Sequence, residues 1–190
     1  MIMKMKKLLI IGCGRSGTAF SSALFQGLSL DIPHEKVGKD GISSWYETIK
    51  DKEELINNYS FILHQVRDPL KVIASTQTLS EESWKYISDY IPIELGEDII
   101  LRCAKYWYYW NLIAEKKAHM TLKVEEIFKM LPEICKNLDI EFKNLEFLQK
   151  ESINTRNGRF QPVTWEDIKK KDKGMHDLCL KLAKRYGYHY

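Results

Sequence analysis

The chain predicts an α/β fold of three layers, with a central, mostly parallel sheet flanked by helices. Three observations predict it. Leu8 to Ile11 are four consecutive apolar residues, as a strand buried on both faces requires. A glycine-rich turn and a helical pattern follow directly, at 12 to 28. The same order recurs at "SFILHQV", residues 60 to 66, which runs into a capped helix start.

Taken in order, the first strand ends at Gly12. Phe20, Ala23, Leu24, Gly27 and Leu28 keep helical spacing, so a helix spans about 17 to 27. "LSLDIP", residues 28 to 33, reads as a second strand. Residues 44 to 58 read as a helix with Trp45, Ile49 and Leu55 as its apolar points. The third strand stops at Arg67, where Asp68 can cap a helix and Pro69 suits its first position. Glu97 to Lys117 forms a long helix carrying "YWYYWN". "MTLKVEEI" is a short strand, and the helical pattern after it breaks near Pro132. Residues 151 to 163 are polar and aperiodic, hence a loop; Thr164 then caps a short helix. Met175, Leu178, Cys179, Leu182, Ala183 and Tyr186 mark an amphipathic last helix closed by Gly187. With no repeat and no linker, residues 1–190 read as one domain.

The composition narrows the function classes. A net charge of +3 is no nucleic-acid signature and suits a small anionic ligand equally well. Cys13, Cys103, Cys135 and Cys179 form no CxxC pair and have no histidine at metal-ligand spacing, so they read as reduced core residues and no metal is expected. The apolar run after the first lysines is too short for a signal-peptide core, and no run approaches the ~20 residues of a membrane span. The expectation is a cytoplasmic protein with no membrane span and no nucleic-acid partner.

"GCGRSGT", residues 12 to 18, asks to hold a phosphate, and three templates fit it. Gly12, Gly14 and Gly17 match the dinucleotide turn G-x-G-x-x-G, with Glu35 standing 18 positions after Gly17. Against this, Arg15 would crowd a closely approached pyrophosphate, and the chain is too short to add the usual catalytic domain. Gly12 and Gly17 also have nucleoside-triphosphate loop spacing, yet Thr18 and Ala19 stand where lysine and a magnesium-ligating hydroxyl belong. The third template needs a second anchor. "HQVRDPLKVIAS" supplies it, with Arg67 at a strand end and Ser75 eight residues later.

Together, these two motifs resemble the PAPS-dependent sulfotransferases, which use 3′-phosphoadenosine-5′-phosphosulfate (PAPS). The resemblance implies a P-loop NTPase-like sulfotransferase fold, of bacterial type, and transfer of a sulfuryl group to a hydroxyl or amine without a metal. It implies that Gly12, Gly14, Arg15, Ser16, Gly17 and Thr18 hold the 5′-phosphosulfate, Arg15 standing where many members have lysine. Arg67 and Ser75 would hold the 3′-phosphate, joined by Arg156 and Gly158 of the late "NTRNGRF" loop, where members often have Arg-Lys-Gly. "HEKVGKDGISSW" looks like the segment bearing the base and part of the acceptor site, and "YWYYWN" before "LKVEEI" like the family's helix-then-strand stretch.

The chemistry wants these residue types. Backbone N–H groups at a helix start favour an anion, and Arg15 can donate to the bridging oxygen as the S–O bond breaks. Ser16 and Thr18 also suit a plain helix start, and Arg67 alone would suit a surface ion pair. Paired with the loop, Arg67 reads as a bidentate phosphate ligand. The acceptor must lose a proton, so a base is expected: Glu35 is preferred over His34. Adjacent residues on an extended chain point opposite ways, so only one of the two should face the site. Lys39 reads as acceptor support or as a solvated loop residue. His64, His119, His176 and His189 have no motif around them and read as structural or exposed. Trp107 and Trp110 share a stripe with Cys103 and Ala114 that reads as core, leaving Trp45 and Tyr108 or Tyr109 to line an acceptor pocket. The acceptor, a small molecule or a glycan, and the oligomeric state stay open, as do two alternatives: a non-catalytic protein that binds PAPS or its product PAP, and an NAD(P)-dependent oxidoreductase.

Overall fold

Four parallel strands lie in the order β2-β1-β3-β4 in a computed structural model that describes residues 5–144 and 160–190. In chain order the elements are β1 (Lys6–Ile11), α1 (Thr18–Gly27), β2 (Gly41–Ser43), α2 (Lys52–Asn58), β3 (Tyr59–Val66), α3 (Pro69–Thr76) and α4 (Glu81–Ser88). There follow α5 (Ile99–Glu115), β4 (Met120–Lys123), α6 (Ile127–Asn137), α7 (Trp165–Lys171) and α8 (Lys173–Arg185).

Strand β1 is buried on both faces, which is why its sequence is continuously apolar. Leu8 and Ile10 pack with Leu24 and Phe25 of α1 and Leu131 and Ile134 of α6. Leu9 and Ile11 turn the other way, toward Leu55 of α2 and Ala114 of α5. All four are fully buried, each burial stabilising by roughly 1.5–3 kcal/mol. The largest cluster gathers Trp84, Cys103, Trp107, Trp110 and Cys179, so the aromatic stripe of α5 is core. All four cysteines are free and buried.

The strand order positions the site. β1 pairs in parallel with β2 on one side and β3 on the other. The chain therefore leaves the end of β1 in one direction and the end of β3 in the opposite one. In open parallel sheets, ligands bind in the crevice at such a reversal. This is not the dinucleotide-binding order, in which strands 1 and 4 are neighbours.

Several elements depart from the sequence-based expectation. Leu28 to Pro33 form no strand: Ser29 and Leu30 N–H groups close the end of α1, and Leu28, Leu30 and Ile32 are buried as a packed arm. The second strand is Gly41–Ser43, where a Cβ on Gly41 would lie 1.7 Å from the Leu8 carbonyl oxygen. Residues 44 to 58 divide into a 3₁₀ turn, Tyr46–Ile49, and α2, parted where Lys50 turns extended. Helix α6 runs through Pro132, because Leu131, Ile134 and Cys135 hold it against the sheet despite the lost hydrogen bond. Helix α4 was not anticipated; Ser80 caps it by accepting from Ser83 N–H, and it buries Trp84 and Ile87. The caps at Asp68 and Thr164 are present, the latter as a full capping box with Asp167, and Gly187 turns at φ +80° beyond α8.

Candidate active site

Loop 12–17 leaves the end of β1 and is shaped from below. A Cβ on Gly12 would meet the Gln65 carbonyl oxygen at 2.3 Å, so glycine is obligatory beside β3. Gly17 sits at φ +94° and opens α1 without a side-chain cap; Arg15 is also left-handed, at φ 72°. Distant residues tie the loop down. The Gly12 N–H donates to Thr48 Oγ1 at 3.3 Å and the Gly14 N–H to the Tyr106 hydroxyl at 2.9 Å. Gln65 Nε2 donates to the Ser16 carbonyl at 2.6 Å, and its Oε1 accepts from Ser21 Oγ. Sequence reasoning missed Thr48, Gln65 and Tyr106, which carry no local signal.

Above the loop lies a cavity of about 590 Å³. Gly14, Arg15, Gly17, Thr18, His34, Glu35, Arg67 and Ser75 all line it. Gly12 and Ser16 of the loop are buried and are not among the cavity's lining; the Ser16 hydroxyl has no partner among the described residues. Arg156 and Gly158 lie outside the described residues. The strand-end arginine is next to the loop, with Arg67 Nη1 donating to the Arg15 carbonyl at 3.4 Å. Arg15 Nη2 reaches Thr78 Oγ1 at 3.5 Å.

His34 and Glu35 both face the cavity, contrary to the expectation that one would turn away. The chain is not extended there: Glu35 has φ 55°, which rotates its side chain back beside its neighbour. His34 Nε2 lies 3.0 Å from Thr18 Oγ1 and 3.4 Å from Glu35 Oε1. Ser44 Oγ donates to Glu35 Oε2, and the Trp45 N–H donates to Oε1 at 3.3 Å. Burial raises the Glu35 carboxyl above its ordinary range, against the lowering effect of those two donors. Burial lowers the His34 imidazole. The lowered pKa favours the neutral imidazole, so the 3.4 Å approach to Glu35 is weak as an ion pair, and Thr18 Oγ1 is the hydrogen-bond partner of Nε2.

The cavity is electrically asymmetric. Arg15, Arg67 and Lys71 stand among its lining, with Glu35 as its carboxylate. Lys71 and Ser83 are further polar residues that sequence reasoning missed. Phe20, Leu79 and Phe160 add apolar surface beside Trp45 and Tyr46, whose ring centroids are 3.9 Å apart. Tyr108 and Tyr109 pack on one another and do not line it. Lys39 is exposed and is not part of the lining either. His64 is buried between Thr121 and Asn111. Among the described residues no cluster suits a metal ion, and no helix is long and apolar enough to cross a membrane.

No family model matches the chain, and no curated protein matches it. Among solved structures it is similar to a sulfotransferase domain from the curacin biosynthetic pathway, at 11% identity and a TM-score of 0.57. The likeness covers 98% of this chain and 99% of that one. It is a likeness of fold: this chain has the α/β architecture in which that sulfotransferase domain is built.

Proposed function

We propose that the chain, as one domain, is a sulfotransferase that moves a sulfuryl group from PAPS to a hydroxyl or amine of a small-molecule or glycan acceptor. One observation carries the reading. A single cavity at the strand-order reversal gathers the glycine loop with Arg15 and Thr18, the Arg67–Ser75 pair, and the His34–Glu35 pair.

The donors fit such a nucleotide. The first N–H groups of α1 have no intrahelical partner and favour the 5′-phosphosulfate, as does the helix dipole. Arg15 and Thr18 donate to its oxygens. Arg67 and Ser75 take the 3′-phosphate, where a planar guanidinium suits a phosphate dianion. Glu35 takes the acceptor proton, and its raised pKa makes it a stronger base than an ordinary carboxylate. The acceptor oxygen or nitrogen then bonds to sulfur as the bond from sulfur to the 5′-phosphate oxygen breaks. Arg15 stabilises the charge left on that oxygen. His34, hydrogen-bonded to Thr18 and 3.4 Å from Glu35, stands between the two ends of the reaction and keeps them in register. Trp45 and Tyr46 form the wall against which the acceptor rests.

The test is a thermal-shift series with PAP, AMP, ADP, NAD and NADP, followed by transfer from radiolabelled PAPS. A ligand at 100 times its Kd stabilises by about 2.7 kcal/mol, or roughly 5–10 °C for a chain of this size. PAP should give the largest shift, unchanged by EDTA. Equal shifts with PAP and ADP would overturn the 3′-phosphate assignment. A shift with NAD(P) and none with PAP would favour the oxidoreductase alternative. PAP binding without transfer to any acceptor would leave a non-catalytic nucleotide-binding protein.

A further inference from the structure

We infer that Lys71 determines nucleotide specificity: its ammonium joins Arg67 and Ser75 on the 3′-phosphate. The inference rests on the reading of the cavity just given. Residues 67, 71 and 75 are spaced by four, and all three line the cavity. Lys71 and Ser75 lie on one face of α3, an i, i+4 pair. That helix buries Pro69, Val72, Ile73, Ala74 and Thr76, so its remaining surface is held by Leu70, Lys71 and Ser75. The start of the helix is fixed by the Lys71 N–H, which donates to Asp68 Oδ1 at 3.0 Å, and this sets the turn from which the side chain extends.

Charge gives the reason for a second cation. A phosphate monoester carries about −1.5 to −2 at pH 7. Among the described residues Arg67 is the guanidinium placed there with Ser75, and by itself it leaves part of that charge unmatched. The ammonium of Lys71 is in no ion pair among the described residues. Asp68 caps α3, Glu125 accepts from the Asp68 N–H and the Tyr188 hydroxyl, and Glu35, the carboxylate in the cavity's lining, accepts from Ser44 and Trp45. Arg67 and Lys71 are like charges in one cavity, and an anion between them relieves their repulsion. A terminal 3′-phosphate is the part of the nucleotide that supplies a dianion there.

The experiment is isothermal titration of the full chain and of Lys71→Met and Lys71→Arg with PAP and with AMP, which lacks the 3′-phosphate. Lys71→Met keeps the side-chain length and removes the charge. It should weaken PAP binding by about 10- to 100-fold and change AMP binding less than about twofold. Lys71→Arg should hold PAP affinity within about threefold. Melting points without ligand should be unchanged, because Lys71 is exposed. Equal losses for PAP and AMP, or no loss for either, would overturn the assignment. If the parent protein binds PAP no better than AMP, the 3′-phosphate reading fails as a whole and Lys71 with it. That outcome is visible before any variant is made.

Discussion

The backbone N–H of Gly14 donates to the hydroxyl of Tyr106, 2.9 Å away and 92 residues later in the chain. Tyr106 is fully buried in α5, and burial pushes its phenol well above its ordinary range, so the hydroxyl stays neutral. The core helix thus holds the glycine loop in place. Tyr106→Phe would leave the Gly14 N–H without its acceptor, at about 1–3 kcal/mol. The expected result is a melting point lower by roughly 2–10 °C and a several-fold weaker PAP affinity. Calorimetry and titration check both; unchanged PAP affinity would show that the loop keeps its shape without this tie.

Glycine substitutions should rank by what the new Cβ meets. At Gly12 it meets a β3 carbonyl at 2.3 Å, which cannot move without disturbing the sheet. At Gly14 it meets the Tyr106 hydroxyl at 2.9 Å, the end of a side chain. Gly12→Ala should cost several kcal/mol and Gly14→Ala about 1–3 kcal/mol, measured by urea denaturation. Equal losses would mean that β3 yields as easily as a side chain.

Arg67→Ala should weaken PAP binding by about 10- to 100-fold and leave the fold intact, since charge-assisted hydrogen bonds contribute about 1.5–3 kcal/mol each. Circular dichroism and titration separate the two effects. An unfolded variant whose folded fraction binds PAP normally would identify Arg67 as structural through its bond to the Arg15 carbonyl.

Glu35→Gln should lower turnover by about 10²–10⁴-fold with PAP affinity nearly unchanged, and His34→Asn should do much less. The same substitution should stabilise the protein at pH 7. The folded-state pKa of Glu35 is raised, so the folded state binds more protons than the unfolded one between the two values. Stability from this group is complete below the unfolded carboxylate pKa and is lost as pH rises through the folded one. Glu35→Gln should therefore melt higher than the parent at pH 7, and the gap should close in acid. A lower melting point at pH 7 would show that the Ser44 and Trp45 donors outweigh burial. A dead His34→Asn beside an active Glu35→Gln would transfer the base to His34.

His64 should dominate the acid limb of stability. Burial lowers its pKa to about 4, against the hydrogen bond that its Nε2 donates to Asn111 Oδ1, which raises it. Because the folded value is depressed, the stability is present above the unfolded pKa near ~6.5 and is lost as pH falls toward about 4. At about 1.4 kcal/mol per pH unit the loss is on the order of 3 kcal/mol. Urea midpoints from pH 7 to 4 should fall more steeply for the parent than for His64→Gln; parallel curves would count against this.

The sequence by itself determines the local chemistry. Continuous apolar residues at Leu8–Ile11 require a strand buried twice, and the Gly12 to Thr18 spacing and the Asp68–Pro69 helix start follow from steric and capping rules between chain neighbours. The four-residue spacing from Arg67 through Lys71 to Ser75 is in the sequence too, although a lysine on a helix face carries no signal until the cavity is seen. The tertiary structure decides the rest. The pairing of Leu8 with Gly41 and Phe61 puts β1 between β2 and β3, and so sets the glycine loop beside Arg67. Apolar alternation in Leu28, Leu30 and Ile32 reports burial, which a packed arm satisfies as well as a strand. The shared face of His34 and Glu35 depends on one positive φ, and the anchors Thr48, Gln65 and Tyr106 bond across 36, 49 and 92 residues. Contacts at such separations exist only once the sheet has closed, so no neighbouring residue in the sequence announces them.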